Sequence, residues 1–182
     1  MKKSGKEIPV KVSQGEVFIP DRLNVLNRTQ RQAVLATVSD EQPFTSLIAY
    51  TLTPDMRGVI FATPKDTTKY RNILKQKQVA ILIDTRTKTG SDYLETEAVT
   101  IIGRARSIRR GKERSELAEI FVKKHPKLTQ FMKSPTTALI FVAISHCLHV
   151  SGFQSISVWR VEQALDASKK MVSVSMESKV KC

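Results

Sequence analysis

The chain has little cysteine and no long apolar run. Its 182 residues include only two cysteines, Cys147 and Cys182. Two cysteines do not make a disulfide framework, and they fit a reducing compartment. No apolar stretch approaches the length of a membrane-spanning helix, and no apolar h-region follows the basic residues 1–7. We therefore expect no membrane span and no secretory signal, and we predict a cytoplasmic protein.

The familiar catalytic signatures are also missing. The sequence contains no Walker loop, no dinucleotide glycine fingerprint and no Ser-His-Asp order. Its densest group of metal-ligating residue types is His146-Cys147-Leu148-His149. On a strand, Cys147 and His149 would share one face and His146 would point to the other. Because a closed zinc site needs four ligands, we predict no metal site, and Cys147 has no evident partner as a nucleophile.

Aromatic residues are scarce, whereas positive charge is abundant. Thirty Lys and Arg residues face 17 Asp and Glu residues, so the net charge is +13. Such an excess permits nucleic acid, an acidic surface or a phosphorylated ligand as partner. The basic run over residues 104–114 contains no aromatic side chain, although single-strand binders usually interleave aromatics with their cations. A solvated basic face is the commoner meaning of such a run, and a nucleic-acid-binding barrel stays as an alternative.

The length and the sequence pattern indicate one domain with two peripheral segments. We predict an N-terminal arm over residues 1–20, a single domain over 21–162 and a basic tail over 163–182. The polar segment 85–95 is the best candidate for a mobile loop.

Turn chemistry separates a series of short apolar runs. The patterns predict strands over residues 32–38, 44–52, 59–62, 79–84, 98–108 and 137–145, with one or two more between 146 and 161. Helices are predicted over residues 21–31, 67–76 and 113–124, with a short turn at 126–132. The first three strands should form an antiparallel meander, and the fourth should be buried on both faces. Gly103 within the fifth strand suggests a bulge or a close backbone approach. Together these elements predict a mainly β protein, a small antiparallel barrel with covering helices.

The segment over residues 63–72 joins the third predicted strand to the helix that follows it. It holds three threonines, two lysines and an arginine. A helix start attracts anions through its unpaired N–H groups and its positive dipole end, so these residues suit a phosphate. The same residues also fit an ordinary surface helix with Asp66 or Thr67 as N-cap. Local sequence leaves both interpretations open.

Seven short motifs occur in a characteristic order. They are AVLATVS (33–39), PFTSLIAY (43–50), FAT with TKYRN (61–63, 68–72), VAILI (79–83), VTIIGRA (99–105), KHP (124–126) and HVSGF (149–153). In this order they resemble the pyridoxamine 5'-phosphate oxidase-like FMN-binding split-barrel family, over about residues 28–160. The last two motifs are similar to the branch that includes haem-utilisation proteins. The resemblance implies a six- to eight-stranded antiparallel split β-barrel with covering helices.

The resemblance also implies a homodimer with FMN at the interface. The cofactor positions that it implies are Ser46, Leu47, Ile48 and Ala49 along the isoalloxazine ring, and Thr63, Thr67, Thr68 and Lys69 around the phosphate, with Lys65 and Arg71 as outer charge. Ala62 is a further predicted cofactor position. Thr68 stands where relatives often have a basic residue. Trp159 is a candidate to cover a flavin from the other subunit, although a lone tryptophan is more often a core or interface anchor.

Two departures bear on the reaction. The segment from residue 157 onward has no histidine, so we do not predict the pyridoxamine-phosphate oxidase reaction, and Ala98 replaces a glutamine of some relatives. The prediction is an FMN-dependent oxidoreductase acting on an unidentified small molecule, with no catalytic side chain named. The alternatives are a deazaflavin (F420) oxidoreductase, or a non-enzymatic haem or flavin binder with His149 as a possible axial ligand.

Overall fold

A computed structural model describes residues 18–85, 96–151 and 155–161. In these ranges the strands are β1 (Gln32–Ser39), β2 (Gln42–Leu52), β3 (Gly58–Pro64), β4 (Gln78–Asp84), β5 (Glu97–Ile108), β6 (Thr137–Ser151) and β7 (Ser155–Arg160). The α-helices are α1 (Ile19–Thr29), α2 (Thr68–Lys75), α3 (Lys112–Lys124) and α4 (Thr129–Lys133), with a 3₁₀ turn at Pro126–Leu128. Residues 1–17 of the predicted arm, residues 86–95 of the predicted loop and the whole predicted tail lie outside the described residues, as do residues 152–154 and 162.

The strands form one antiparallel sheet that closes on itself. The order is β3-β2-β1-β4-β5-β6-β7, and an additional pairing of β3 with β6 closes a barrel of six strands. β7 extends the sheet by pairing with the C-terminal half of β6. The predicted meander of the first three strands is confirmed, and so is the mainly β class.

Alternation along the strands divides the apolar side chains between two clusters. The main cluster fills the barrel, and its members include the fully buried Tyr50, Phe61 and Ile81. The smaller cluster lies under α3 and α4, where Phe121 packs with Ile60 and the other outward side chains of β3 and β6. Burying one such aliphatic or aromatic side chain stabilises the fold by about 1.5–3 kcal/mol.

Two strand predictions are wrong. β4 is not buried on both faces, because Val79, Ile81 and Ile83 face the core while Ala80 and Leu82 are only partly buried. A short apolar run cannot distinguish a two-sided strand from a one-sided strand whose outer residues are also apolar.

The expected break after residue 145 is also absent, since β6 continues to Ser151. Ser145 lies at a bulge, where the register with β5 shifts between Ile102 and Gly103. Its hydroxyl donates to the carbonyl oxygen of Ile102 at 2.9 Å, which satisfies the polar side chain inside the strand. The bulge predicted at Gly103 is confirmed.

Gly103 tolerates no side chain, because a Cβ there would lie 2.4 Å from the carbonyl oxygen of Ala143. We expect Gly103→Ala to lower the free energy of unfolding by about 1–3 kcal/mol, the usual cost of overpacking. The midpoint of urea unfolding measures the change. Arg104→Ala, at the next and exposed position, should change it by less than about 0.5 kcal/mol. Equal midpoints for Gly103→Ala and the wild type would contradict the close approach.

None of the helices in the described residues is both long enough and apolar enough to cross a membrane.

Candidate functional site

The start of α2 is built by a threonine cap. β3 ends at Pro64, and Thr67 occupies the N-cap position with extended backbone angles. The Thr67 hydroxyl accepts a hydrogen bond from the N–H of Tyr70 at 3.4 Å and donates to the carbonyl oxygen of Pro64 at 2.9 Å. The capping interpretation is therefore confirmed with Thr67, rather than Asp66, as the cap.

A second hydroxyl lies beside the cap. The Oγ1 atoms of Thr63 and Thr67 are 3.0 Å apart, although Thr63 belongs to β3 and Thr67 precedes α2. Thr63 is 2% exposed, so its hydroxyl supports Thr67 from within the fold. The structure thus brings together two of the residues that the resemblance assigns to a phosphate.

The cations of this segment differ in what they contact. The Arg71 guanidinium donates to the carbonyl oxygen of Asp66 at 2.6 Å and to the Thr68 hydroxyl at 3.2 Å. Lys69 is half-buried, and none of the described side chains pairs with its ammonium group. The N–H groups of Thr68 and Lys69 lie in the first turn, where helical N–H groups lack intrahelical acceptors. Lys69 and these two N–H groups are the donors left for an anion.

Part of one backbone edge of strand β2, next to this helix start, pairs with no other strand of the described residues, and we call it the open edge. It pairs with β1 along residues 42–49 but with β3 only at Tyr50, Thr51 and Leu52. The N–H of Thr53 bonds the carbonyl oxygen of Gly58 on the β3 side. Backbone N–H and C=O groups of a strand alternate between its two edges, so those of Ala49 and Leu47 point to the same edge as those of Thr53. At Ala49 and Leu47, however, the pairing with β3 has already ended.

The side chains along this edge point in two directions. Ser46 and Ile48 turn toward the barrel, where the Ser46 hydroxyl is buried and has no hydrogen-bond partner among the described residues. Leu47 is 60% exposed, and Ala49 packs against the cluster under α3 and α4. Of the four predicted ring positions, Leu47 and Ala49 therefore carry the backbone groups on the open edge.

An apolar row crosses the outer face of the sheet. Directly paired residues of six strands form it: Leu47, Val34, Leu82, Thr100, Leu148 and Val158. Paired residues of an antiparallel sheet point to the same face, and here each is half-buried or exposed. Val150 lies on the same outer face and is 38% exposed. We call this surface the outer apolar face.

Two of the predicted cofactor residues lie in other surroundings. Ala62 packs against the cluster under α3 and α4. Trp159 pairs with Cys147 across β7 and β6, and its ring packs against the main core. This is the anchoring role that a lone tryptophan more often has, and contact with a flavin of a second subunit stays a prediction.

His149 is enclosed rather than available to a ligand. It is 2% exposed, and its Nε2 lies 3.4 Å from Oε2 of Glu97, without hydrogen-bond geometry. The same carboxylate accepts from Nε of Arg22 on α1 at 2.8 Å. The sequence did not indicate this cluster of Arg22, Glu97 and His149, because Arg22 and Glu97 are 75 residues apart. The structure therefore offers no open imidazole here for a haem iron.

The other candidate groups considered from the sequence are the Cys147 thiol and a cluster of metal ligands. Burial raises the pKa of the Cys147 thiol to about 12, so the thiolate that a nucleophile requires is not formed near neutral pH. Within the described ranges, no three His, Cys, Asp or Glu residues are grouped as metal ligands.

The closed barrel, its covering helices and the added β7 define a split β-barrel protein. Residues 19–151 match the family model of the pyridoxamine 5'-phosphate oxidases, and the chain belongs to this family. No curated protein matches the sequence.

Solved structures share the fold at low sequence identity. ChuZ from Campylobacter jejuni has a TM-score of 0.69 at 15% identity, covering 82% of this chain and 62% of ChuZ. A haem-binding protein from Mycobacterium smegmatis has a TM-score of 0.65 at 17% identity, with 74% and 55% covered. An FAD-binding protein from Mesorhizobium loti has a TM-score of 0.61 at 15% identity, with 73% and 92% covered. This chain spans less than two thirds of the first two proteins, and the likeness shows the fold alone.

Proposed function

We propose that this chain binds FMN as a cytoplasmic homodimer and catalyses redox chemistry on a small molecule. The observation that carries the proposal is the helix start of α2. There the hydroxyls of Thr63 and Thr67, 3.0 Å apart, lie next to Lys69, whose ammonium group has no partner among the described side chains. The hydroxyls shape the cap, and the free N–H groups of the first turn together with one cation are donors that suit a phosphate dianion.

The open edge of β2 supports a flat ring beside this phosphate position. An isoalloxazine carries both hydrogen-bond donors and acceptors at its edge. The free backbone groups of Leu47 and Ala49 would satisfy them without any charged side chain. The aliphatic and small side chains at these two positions are compatible with a flat ring against the backbone.

The outer apolar face supports the dimer. Large exposed apolar patches on a protein surface mark interaction sites, and here Leu47 and Val158 at the two ends of the row are 60% and 41% exposed. The face begins at Leu47, which also belongs to the proposed flavin edge. A second copy on this face would therefore cover the ring and exclude water from it.

Bound FMN would supply the electron transfer, and the protein would position it. Lys69 and the first N–H groups of α2, which follow the Thr67 cap, would hold the phosphate, and β2 would hold the ring. The Cys147 thiol and the His149 imidazole take no part, because both are buried. The absence of a histidine from residue 157 onward argues against pyridoxamine phosphate as substrate.

The test is to identify and titrate the cofactor. Mass spectrometry of small molecules released from the denatured protein should find FMN, and ligand-free protein should quench the fluorescence of added FMN to saturation at a stoichiometric amount. Parallel titrations with F420 and haemin separate the alternatives. A colourless protein that does not take up FMN would contradict the proposal. A stoichiometric Soret shift would favour a haem binder that uses a ligand other than the enclosed His149.

A further inference from the structure

A cleft of about 750 Å³ lies at the end of the barrel near α2. Its walls are the C-terminal end of β5, the N-terminal end of β6, the start of α3 and the segment after α4. Among the described residues, no aspartate or glutamate lines it, and five cationic side chains do: Lys65, Arg109, Arg110, Arg114 and Lys133. We call it the basic cleft.

The charges of the basic cleft are not neutralised within the described part of the chain. Lys65 donates to the carbonyl oxygen of Pro135 at 2.6 Å, and Arg114 donates to that of Ile108 at 3.1 Å. These neutral acceptors orient the two cations and leave their charge in place. No ion pair joins any of the five cations to a described carboxylate.

The nearest carboxylates of α3 are engaged elsewhere. Glu113 pairs with Arg106, and Glu116 lies 3.7 Å from Lys112. Like charges in one cleft repel each other, and an anion between them would remove this repulsion. The arrangement therefore favours a ligand with several negative charges.

The backbone adds donors to the same cleft. The N-cap of α3 is Gly111, with φ of 98° and no capping side chain, and it lines the cleft. A Cβ built at Gly111 would meet no atom within 4 Å, so the chain is open on this side. The first N–H groups of this 13-residue helix are thus available to an anion.

A buried hydroxyl is an independent indication of a ligand. Thr137 lines the cleft and is 3% exposed, and its Oγ1 forms no hydrogen bond with the described residues. Buried hydroxyl groups normally have a partner, since an unmade hydrogen bond is costly. A phosphate oxygen in the cleft would provide that partner.

We infer that the basic cleft binds a small molecule that carries two or more phosphate groups. The five cations exceed what a single phosphate needs, and the volume falls in the range of small-molecule sites. Tyr70 is the one aromatic side chain that lines the cleft in the described part of the chain, and it gives no platform for successive stacked bases of a nucleic acid strand. The cleft does not include Thr63, Thr67 or Lys69, and its occupation does not require FMN.

Calorimetric titration of the full chain with inorganic pyrophosphate tests the inference. We expect saturable binding, and Arg110→Ala combined with Lys133→Ala should weaken it by at least about tenfold. Both side chains are exposed, so the variant should keep the melting temperature of the wild type. The control is Arg28→Ala combined with Lys127→Ala, which removes the same charge at exposed positions outside the cleft and should leave the affinity unchanged.

Four results would overturn the inference. They are the absence of pyrophosphate binding, an equal loss in the control variant, tighter binding of a short single-stranded oligonucleotide than of pyrophosphate, and displacement of bound FMN by pyrophosphate. The last result would make the cleft part of a flavin site. Because the probe is pyrophosphate alone, a protein that fails to bind FMN still gives a decisive answer here.

Discussion

Replacement of Lys69 by alanine is expected to weaken FMN binding by about ten- to a hundredfold. A hydrogen bond to a charged group contributes about 1.5–3 kcal/mol, and each 1.4 kcal/mol changes an affinity about tenfold. Lys69 is suited to this role because the described residues leave its ammonium group without an ion-pair partner. Removal of the Lys69 side chain should therefore lower the affinity for FMN and change the free energy of unfolding little.

Fluorescence titration with FMN measures the affinity, and thermal unfolding monitors the fold. Lys69→Arg should retain most of the affinity, since it preserves the charge. Lys77→Ala is the matched control, because Lys77 is exposed in the connection after α2. If Lys69→Ala and Lys77→Ala bind FMN equally well, Lys69 is not a phosphate ligand.

The local parts of the candidate site were predictable from sequence. Thr63 and Thr67 are four residues apart, so a strand end followed by a helix cap places them together whatever the rest of the chain does. The barrel strands were also predictable, because turn residues separate apolar runs of strand length. Gly103 was recognisable for a similar reason, since glycine inside a strand marks a close approach.

Contacts between distant segments were not predictable in this way. The basic run over 104–114 was visible, but nothing local indicated that Lys65 and Lys133 would face it across one cleft. The enclosure of His149 depends on Arg22 and Glu97, which come from α1 and β5. Periodicity records which face of a strand is buried, and it does not record which other element covers that face.

A lysine in place of Leu82 is expected to convert the proposed dimer into monomers. Leu82 lies within the outer apolar face, paired with Val34 on one side and Thr100 on the other. In a two-fold dimer an unpaired charge at such a position would be buried, and uncompensated buried charges cost about 3–5 kcal/mol. This corresponds to an increase of more than about a hundredfold in the dimer dissociation constant.

Sedimentation velocity over a dilution series measures this change. Val25→Lys is the matched control, because Val25 is 43% exposed on α1 and lies outside the sheet. A wild-type chain that is monomeric, or a Leu82→Lys chain that dimerises like the wild type, would exclude the outer apolar face as the interface.

The same variant separates the two halves of the proposed flavin site. Leu82→Lys leaves Thr63, Thr67 and Lys69 unchanged, so a phosphate contact alone would survive in the monomer. If the second subunit covers the ring, FMN affinity should fall in parallel with dimer dissociation, and added FMN should shift the variant back toward the dimer by mass action. Unchanged FMN affinity in a monomeric Leu82→Lys chain would instead show that one subunit holds the whole cofactor.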